Sequence, residues 1–142
     1  MAKENAAGVL TTLAFDNDNN KALIAKAGAI PLLVALLQNG TDMAKENAAG
    51  ALWNLIVKNE NNQVSILKAG AIPPLIALLE TGTDMAKENA VGALWDLAEN
   101  NENNTVSIAK AGAIPLLVAL LQNGTHEVQR FSRSVLQTLS YC

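Results

Sequence analysis

Apolar residues recur along this chain at helical rather than strand spacing. Ala48, Leu52 and Leu55 stand at i, i+4 and i+7 and form one stripe, which predicts a helix from about Met43 to Val57. Thr41 or Asp42 supplies cap chemistry for its start. Asn59-Glu60-Asn61-Asn62 is turn and cap chemistry and leads into a short helix carrying Val64, Ile66 and Leu67. Gly70 ends that helix, as glycine does where the chain passes through a left-handed conformation. Pro73 then sits in the first turn of a third helix, where its missing N–H has no helical partner to lose. That helix buries Leu75, Leu78 and Leu79, and Thr81-Gly82 stops it; Asn39-Gly40 and Asn123-Gly124 are the equivalent stops. No stretch alternates apolar and polar residues as a strand would, so no strand is predicted.

The pattern is written three times. Gly28-Ala29-Ile30-Pro31 returns as Gly70-Ala71-Ile72-Pro73 and as Gly112-Ala113-Ile114-Pro115, a constant step of 42 residues. Cutting at Met1, Met43 and Met85 gives three blocks that agree pairwise at 27 to 31 of 42 positions, and Glu127 to Cys142 continues a weaker fourth. Such a step falls among all-helical solenoid repeats (~40–47 residues), away from the shorter ankyrin and tetratricopeptide units. No block hides its apolar stripe alone, so consecutive blocks must stack, and the core is a line rather than a ball.

Composition narrows the chemistry. Half of the 142 residues are hydrophobic but only five are aromatic, and Ala (24) and Leu (21) dominate, which is a helix-building mixture. The chain is too hydrophobic for intrinsic disorder, and no apolar run reaches the ~18–20 residues of a membrane span. Met1-Ala2-Lys3-Glu4-Asn5 is not a signal peptide, so an intracellular protein, cytoplasmic or nuclear, is expected. Three glycosylation sequons, beginning at Asn39, Asn103 and Asn123, therefore read as loop chemistry. One cysteine (Cys142) and one histidine (His126) leave no multi-ligand metal site and no His-centred triad to build. No cofactor, metal or catalytic activity is expected. A net charge of −3 with dispersed Lys and Arg argues against nucleic acid and anionic membranes as partners.

At this point the residues resemble a family, the armadillo repeats. The Asn59–Leu79 run, with its Asn-Glu-Asn-Asn start and Ala-Gly-Ala-Ile-Pro hinge, and the Glu46–Leu55 run (Glu-Asn-Ala-Ala-Gly-Ala-Leu-Trp-Asn-Leu) carry the resemblance, which covers the whole chain. It implies an all-α, right-handed α-solenoid in a single domain. Residues 1–16 would be the third helix of a truncated repeat, and 17–58, 59–100 and 101–142 complete repeats.

Opposite the buried stripe, Asn47, Gly50 and Asn54 lie one above another on a helical wheel. The positions recur as Asn5, Gly8, Thr12, as Asn89, Gly92, Asp96, and as Phe131, Ser134, Thr138. A repeated surface of small and amide side chains is a track for an extended peptide, because an Asn amide both donates to and accepts from peptide backbone. The resemblance adds that armadillo third helices line the concave groove, and that an Asn at the position of Asn54 grips the ligand backbone. Only Asn54 keeps that amide; Thr12, Asp96 and Thr138 do not. Importin-alpha-like proteins place a Trp where this chain has Gly8, Gly50, Gly92 and Ser134, so recognition of a nuclear-localisation signal in their manner is not expected. The glycines either permit close helix approach or open the groove. Trp53 and Trp95 either wall the groove for a ligand or pack between adjacent third helices. Asp96 and Glu99 add a slightly acidic rim, a hint towards basic ligands.

The two ends read differently. Gln129, Arg130, Ser132, Arg133, Ser134 and Gln137 give the last helix a polar, capping character. The first repeats the internal sequence, so a face meant for a preceding repeat is left bare. Near-identical blocks suit an excised or engineered piece of a longer solenoid, while Phe15 and Ile56-Val57-Lys58 resemble natural drift. The expected function is a non-enzymatic module that holds an extended peptide or partner segment on Asn5, Thr12, Asn47, Gly50, Trp53, Asn54, Asn89, Gly92, Trp95 and Asp96. The alternative is a structural solenoid element that self-associates through its bare N-terminal face and has no dedicated ligand.

Overall fold

The computed structural model describes residues 2–14, 17–99 and 101–140. The expectations that fall on Met1, Phe15 and Cys142 lie outside the described residues. Ten helices and no strand occur among those described: α1 (Ala2–Ala14), α2 (Asp18–Lys26), α3 (Ala29–Asn39), α4 (Asp42–Ile56), α5 (Glu60–Lys68), α6 (Ile72–Thr81), α7 (Asp84–Ala98), α8 (Glu102–Lys110), α9 (Ala113–Asn123) and α10 (His126–Leu139). No single helix among the described residues is long and apolar enough to cross a membrane.

Each helix begins and ends for a local reason. Thr41, Thr83 and Thr125 cap α4, α7 and α10, each hydroxyl accepting from the N–H three residues on. Asn17, Asn59 and Asn101 do the same for α2, α5 and α8. Between the first and second helix of each unit the chain turns through 80–81°. The turn needs left-handed backbone at Gly28, Gly70 and Gly112 (φ 80–93°), which only glycine adopts without strain.

The three helices of a unit then pack in a fixed order. Third helices lie side by side in series, α1 on α4, α4 on α7 and α7 on α10, while α3, α6 and α9 each cover the third helix of their own unit. Ala48, Leu52 and Leu55, and their copies Ala90, Leu94 and Leu97, are fully buried at this junction. The core is continuous from Ala7 to Leu139, a line along the stack. Val64 departs from the expected pattern: it is half exposed on α5, where Ile66 and Asn62 are buried and Leu67 packs partly against the core.

A second set of bonds stitches unit to unit. The Asn whose N–H donates to each first-helix cap also turns its own amide back, so that Asn20, Asn62 and Asn104 donate to the carbonyls of Leu13, Leu55 and Leu97 at 2.8, 3.1 and 2.7 Å. These satisfy orphan carbonyls in the last turns of α1, α4 and α7. Lys21 is buried and its Nζ donates to the Val57 carbonyl (2.9 Å) at the negative end of α4, so a residue that composition would place in water closes a helix end instead.

The last helix is less polar on its inner side than its sequence implies. Arg130, Arg133 and Gln137 are exposed, but Ser132 is fully buried and its hydroxyl has no partner. It occupies the register of Ala48 and Ala90, a position chosen by the step between helices rather than by capping. Ser132→Ala should therefore raise stability by about 1 kcal/mol, because it removes an unpaired buried hydroxyl. A lower urea midpoint for this variant would contradict the assignment.

Candidate functional site

The third helices α1, α4, α7 and α10 form one continuous face, and the track residues fall on it at equal register. What they do there is first of all structural. Asn47 Nδ2 donates to the carbonyl of Glu4 (3.1 Å), and Asn89 Nδ2 to that of Glu46 (3.0 Å). Asn54 Nδ2 donates to the carbonyl of Thr11 (3.0 Å), in the last turn of α1. The threonine caps join in: the Thr83 hydroxyl donates to the Glu46 carboxylate at 2.9 Å, and Thr41 to that of Glu4. Amides that the sequence offers to a ligand thus begin by tying each third helix to the one before.

The glycines receive what the neighbouring helix projects. Gly50 is buried, with Asn89 Nδ2 3.1 Å and a Thr11 methyl 3.7 Å from where a Cβ would lie. Gly92 is also buried, and an added Cβ would lie 2.5 Å from the Trp53 ring. Gly50 and Gly92 are therefore seats between helices rather than openings to solvent. Asn5 and Thr12 are exposed at the start of the track, and Thr12 donates back to the Gly8 carbonyl (3.2 Å).

An aromatic cluster closes the other end of the face. Trp53 lies across Gly92 and meets Phe131 of α10 edge-on, centroids 5.6 Å apart at 80°; Trp95 tilts against the same ring at 5.7 Å. Both indoles are half-buried, so they pack between third helices while keeping an edge at the surface. The Arg130 guanidinium caps Phe131 from outside at 5.0 Å. Phe131 occupies the register of Asn47 and Asn89, so the amide track stops at α10.

Asp96 is the polar centre of this cluster. Its Oδ2 accepts a 2.7 Å bond from the Trp53 indole N–H. Burial lifts its carboxyl above the ordinary value of 3.8; the indole bond opposes this, the neighbouring Glu99 charge adds to it, and Lys21 opposes it again. A carboxyl raised in the folded state favours its protonated form there, so this group's contribution to stability improves as pH falls through the raised value towards 3.8. Asp96→Asn keeps an acceptor for the indole and removes that titration. Urea midpoints followed with pH should thus show a gain on acidification in the parent that the variant lacks.

Sequence reasoning had not singled out the Asp96–Trp53 bond, the buried Lys21 or the Asn20, Asn62 and Asn104 stitches. The 42-residue step contained the last signal, since the Asn recurs in register, but a turn reading fits the same letters. Among the described residues no group of three or more His, Cys, Asp or Glu converges as a metal site would require.

The Armadillo/beta-catenin-like repeat pattern matches residues 17–57 and 59–99. The chain belongs to this family. Designed armadillo proteins are among the solved structures similar to it. One designed armadillo repeat protein superposes with a TM-score of 0.89 at 29% identity over 96% of this chain and 58% of its own. Another, described as computationally designed for modular peptide recognition, gives 0.88 at 28% identity over 94% and 56%. A third, solved in complex with the peptide (KR)4, gives 0.86 at 26% identity over 96% and 57%. The chain thus spans under three fifths of the length of these armadillo proteins. No curated protein sequence matches it. The all-α armadillo solenoid expected from the repeats is the fold observed.

Proposed function

We propose that this armadillo chain is a non-enzymatic interaction module, holding an extended, basic peptide segment across the third-helix face. The observation that carries the reading is the half-buried Asp96 carboxylate held by the Trp53 indole N–H with Glu99 exposed beside it, an acidic and aromatic centre on the third-helix face. Neighbouring helices lie ~8–10 Å apart and a strand rises ~3.3 Å per residue, so each unit serves two to three peptide residues. Asn54 reaches Thr11 through its amide nitrogen, which leaves its carbonyl oxygen to accept from a ligand N–H. Structural neighbours described as peptide-recognising, one of them holding (KR)4, support the same use of this fold.

The geometry decides which variant tests the idea. Trp53→Ala with Asn54→Ala removes packing on Gly92 and the bond to Thr11, so it would confound binding with folding. Asp96→Asn with Glu99→Gln removes charge alone. Titration calorimetry with a Lys-Arg repeat peptide should show binding that this double variant weakens by at least about tenfold, the scale of one or two desolvated charge pairs. Unchanged affinity in the variant would remove the groove from consideration.

A further inference from the structure

The two tryptophans stand in the same register of successive units, yet the fold uses their indole N–H groups differently. Trp53 on α4 donates to the Asp96 carboxylate of the next third helix, at 2.7 Å. Its ring lies across Gly92, so its face and its polar edge are both engaged within the fold. One step along, the residue that would answer Trp95 is Thr138 on α10, and a hydroxyl stands where α7 has the carboxylate. That hydroxyl turns back to the Ser134 carbonyl of its own helix (3.0 Å). The Trp95 indole N–H consequently has no hydrogen-bond partner among the described residues, and it is open to solvent. Its ring is nonetheless held, tilted against Phe131 with centroids 5.7 Å apart. Both junctions are complete, α4 against α7 and α7 against α10, so the difference belongs to the residues themselves.

Building on the proposed peptide-binding role, we infer that the Trp95 indole N–H is a ligand-contact donor, taking one backbone carbonyl of the segment held on the third-helix face. Trp53, by contrast, is a positioning residue for Asp96. An indole N–H donates only, so its partner must be an acceptor. Asp96 is the next residue and Glu99 follows within a turn, and their charges oppose an anionic acceptor at this place. A neutral acceptor is left, and extended backbone presents one at every residue. The ring is already fixed by Phe131, so little side-chain freedom is lost when the N–H is used. Asn54 on α4 offers the complementary acceptor through its amide oxygen, one helix spacing (~8–10 Å) away, which two to three extended residues bridge. Together the two contacts take an N–H and a C=O of one ligand strand and set its register along the face.

The chain has two tryptophans, so a nitrogen-15 spectrum shows two indole N–H signals. Trp95→Phe identifies its own by removing it, and nuclear Overhauser contacts from the Trp53 ring to Gly92 assign the pair without any variant. Before peptide is added, the Trp53 proton should exchange with deuterated water at least about tenfold more slowly than that of Trp95, as its bond to Asp96 requires. Titration with a Lys-Arg repeat peptide should shift the Trp95 signal saturably and leave Trp53 close to its starting position. Thioamide peptides, in which sulfur replaces one carbonyl oxygen at a time as a weaker acceptor, locate the partner. One of them should bind the parent about fivefold more weakly, the scale of one neutral hydrogen bond, and show no such loss against Trp95→Phe. A Trp95 signal that stays put at saturation, with binding still weakened by Asp96→Asn and Glu99→Gln, overturns this inference and leaves the peptide-binding role standing. A Trp53 signal that moves in its place overturns it as well. Absence of any binding overturns both.

Discussion

Leu94→Ala should cost about 3 kcal/mol, the mid-range for deleting a fully buried leucine side chain whose neighbours collapse only partly. Leu94 is fully buried on α7, the middle third helix, which touches α4 on one side, α10 on the other and α6 above. In a linear stack each unit is stabilised by nearest neighbours only, so weakening the central junction also loosens the coupling between the two ends. The urea transition should move to lower denaturant and also broaden or split, as one half unfolds ahead of the other. The same deletion in a ball-shaped core would shift the midpoint and keep the transition single. A loss below about 1 kcal/mol would mean that the alanine-rich surroundings close the cavity, a collapse the close-packed third helices do not permit.

Gly92→Ala should destabilise the chain by about 2 kcal/mol, against the usual direction for an exposed helical glycine. Alanine is worth about 1 kcal/mol more than glycine in a helix interior, so a bare propensity argument predicts stabilisation. Here the new methyl would meet the Trp53 ring at 2.5 Å, and the indole is itself held by Phe131 and by its bond to Asp96. Overpacking of that kind costs typically 1–3 kcal/mol on top of the lost propensity gain. The diagnostic is a double-mutant cycle: in a Trp53→Ala background the obstruction is gone, and Gly92→Ala should become stabilising. If Gly92→Ala has the same sign in both backgrounds, Trp53 does not rest on Gly92.

What was legible in the sequence was whatever repeats. The step, the three helices per unit, the glycine corner and the leucine stripe follow from periodicity, because each is enforced at every copy by the same local chemistry. The site was legible only as a set of positions. A wheel shows that Asn47, Gly50 and Asn54 share a side of one helix, but not that the adjacent helix, one unit away, comes close enough to use them. Helix spacing depends on side-chain volume, and the glycines draw the helices together until the amides reach the neighbouring carbonyls. Lys21 was unreadable for a related reason: its burial depends on the end of α4, 36 residues further along the chain. Ser132 shows the converse, a polar letter at a position whose burial the register of Ala48 and Ala90 had already announced.

The stitching bonds between units share one property. Asn47 to Glu4, Asn54 to Thr11, Trp53 to Asp96 and Asn89 to Glu46 each span 43 residues, Asn62 to Lys21 spans 41, and the threonine-to-glutamate pairs span 37. Each connects a module only to its immediate predecessor. A gene rearrangement that inserts or excises a whole module in frame therefore remakes the repeated Asn-to-Glu and Thr-to-Glu bonds at the new junction, whereas the Asn54–Thr11 and Trp53–Asp96 bonds belong to their own modules alone. Length is consequently a heritable variable in this architecture wherever the recurring Asn and Thr donors meet the recurring Glu.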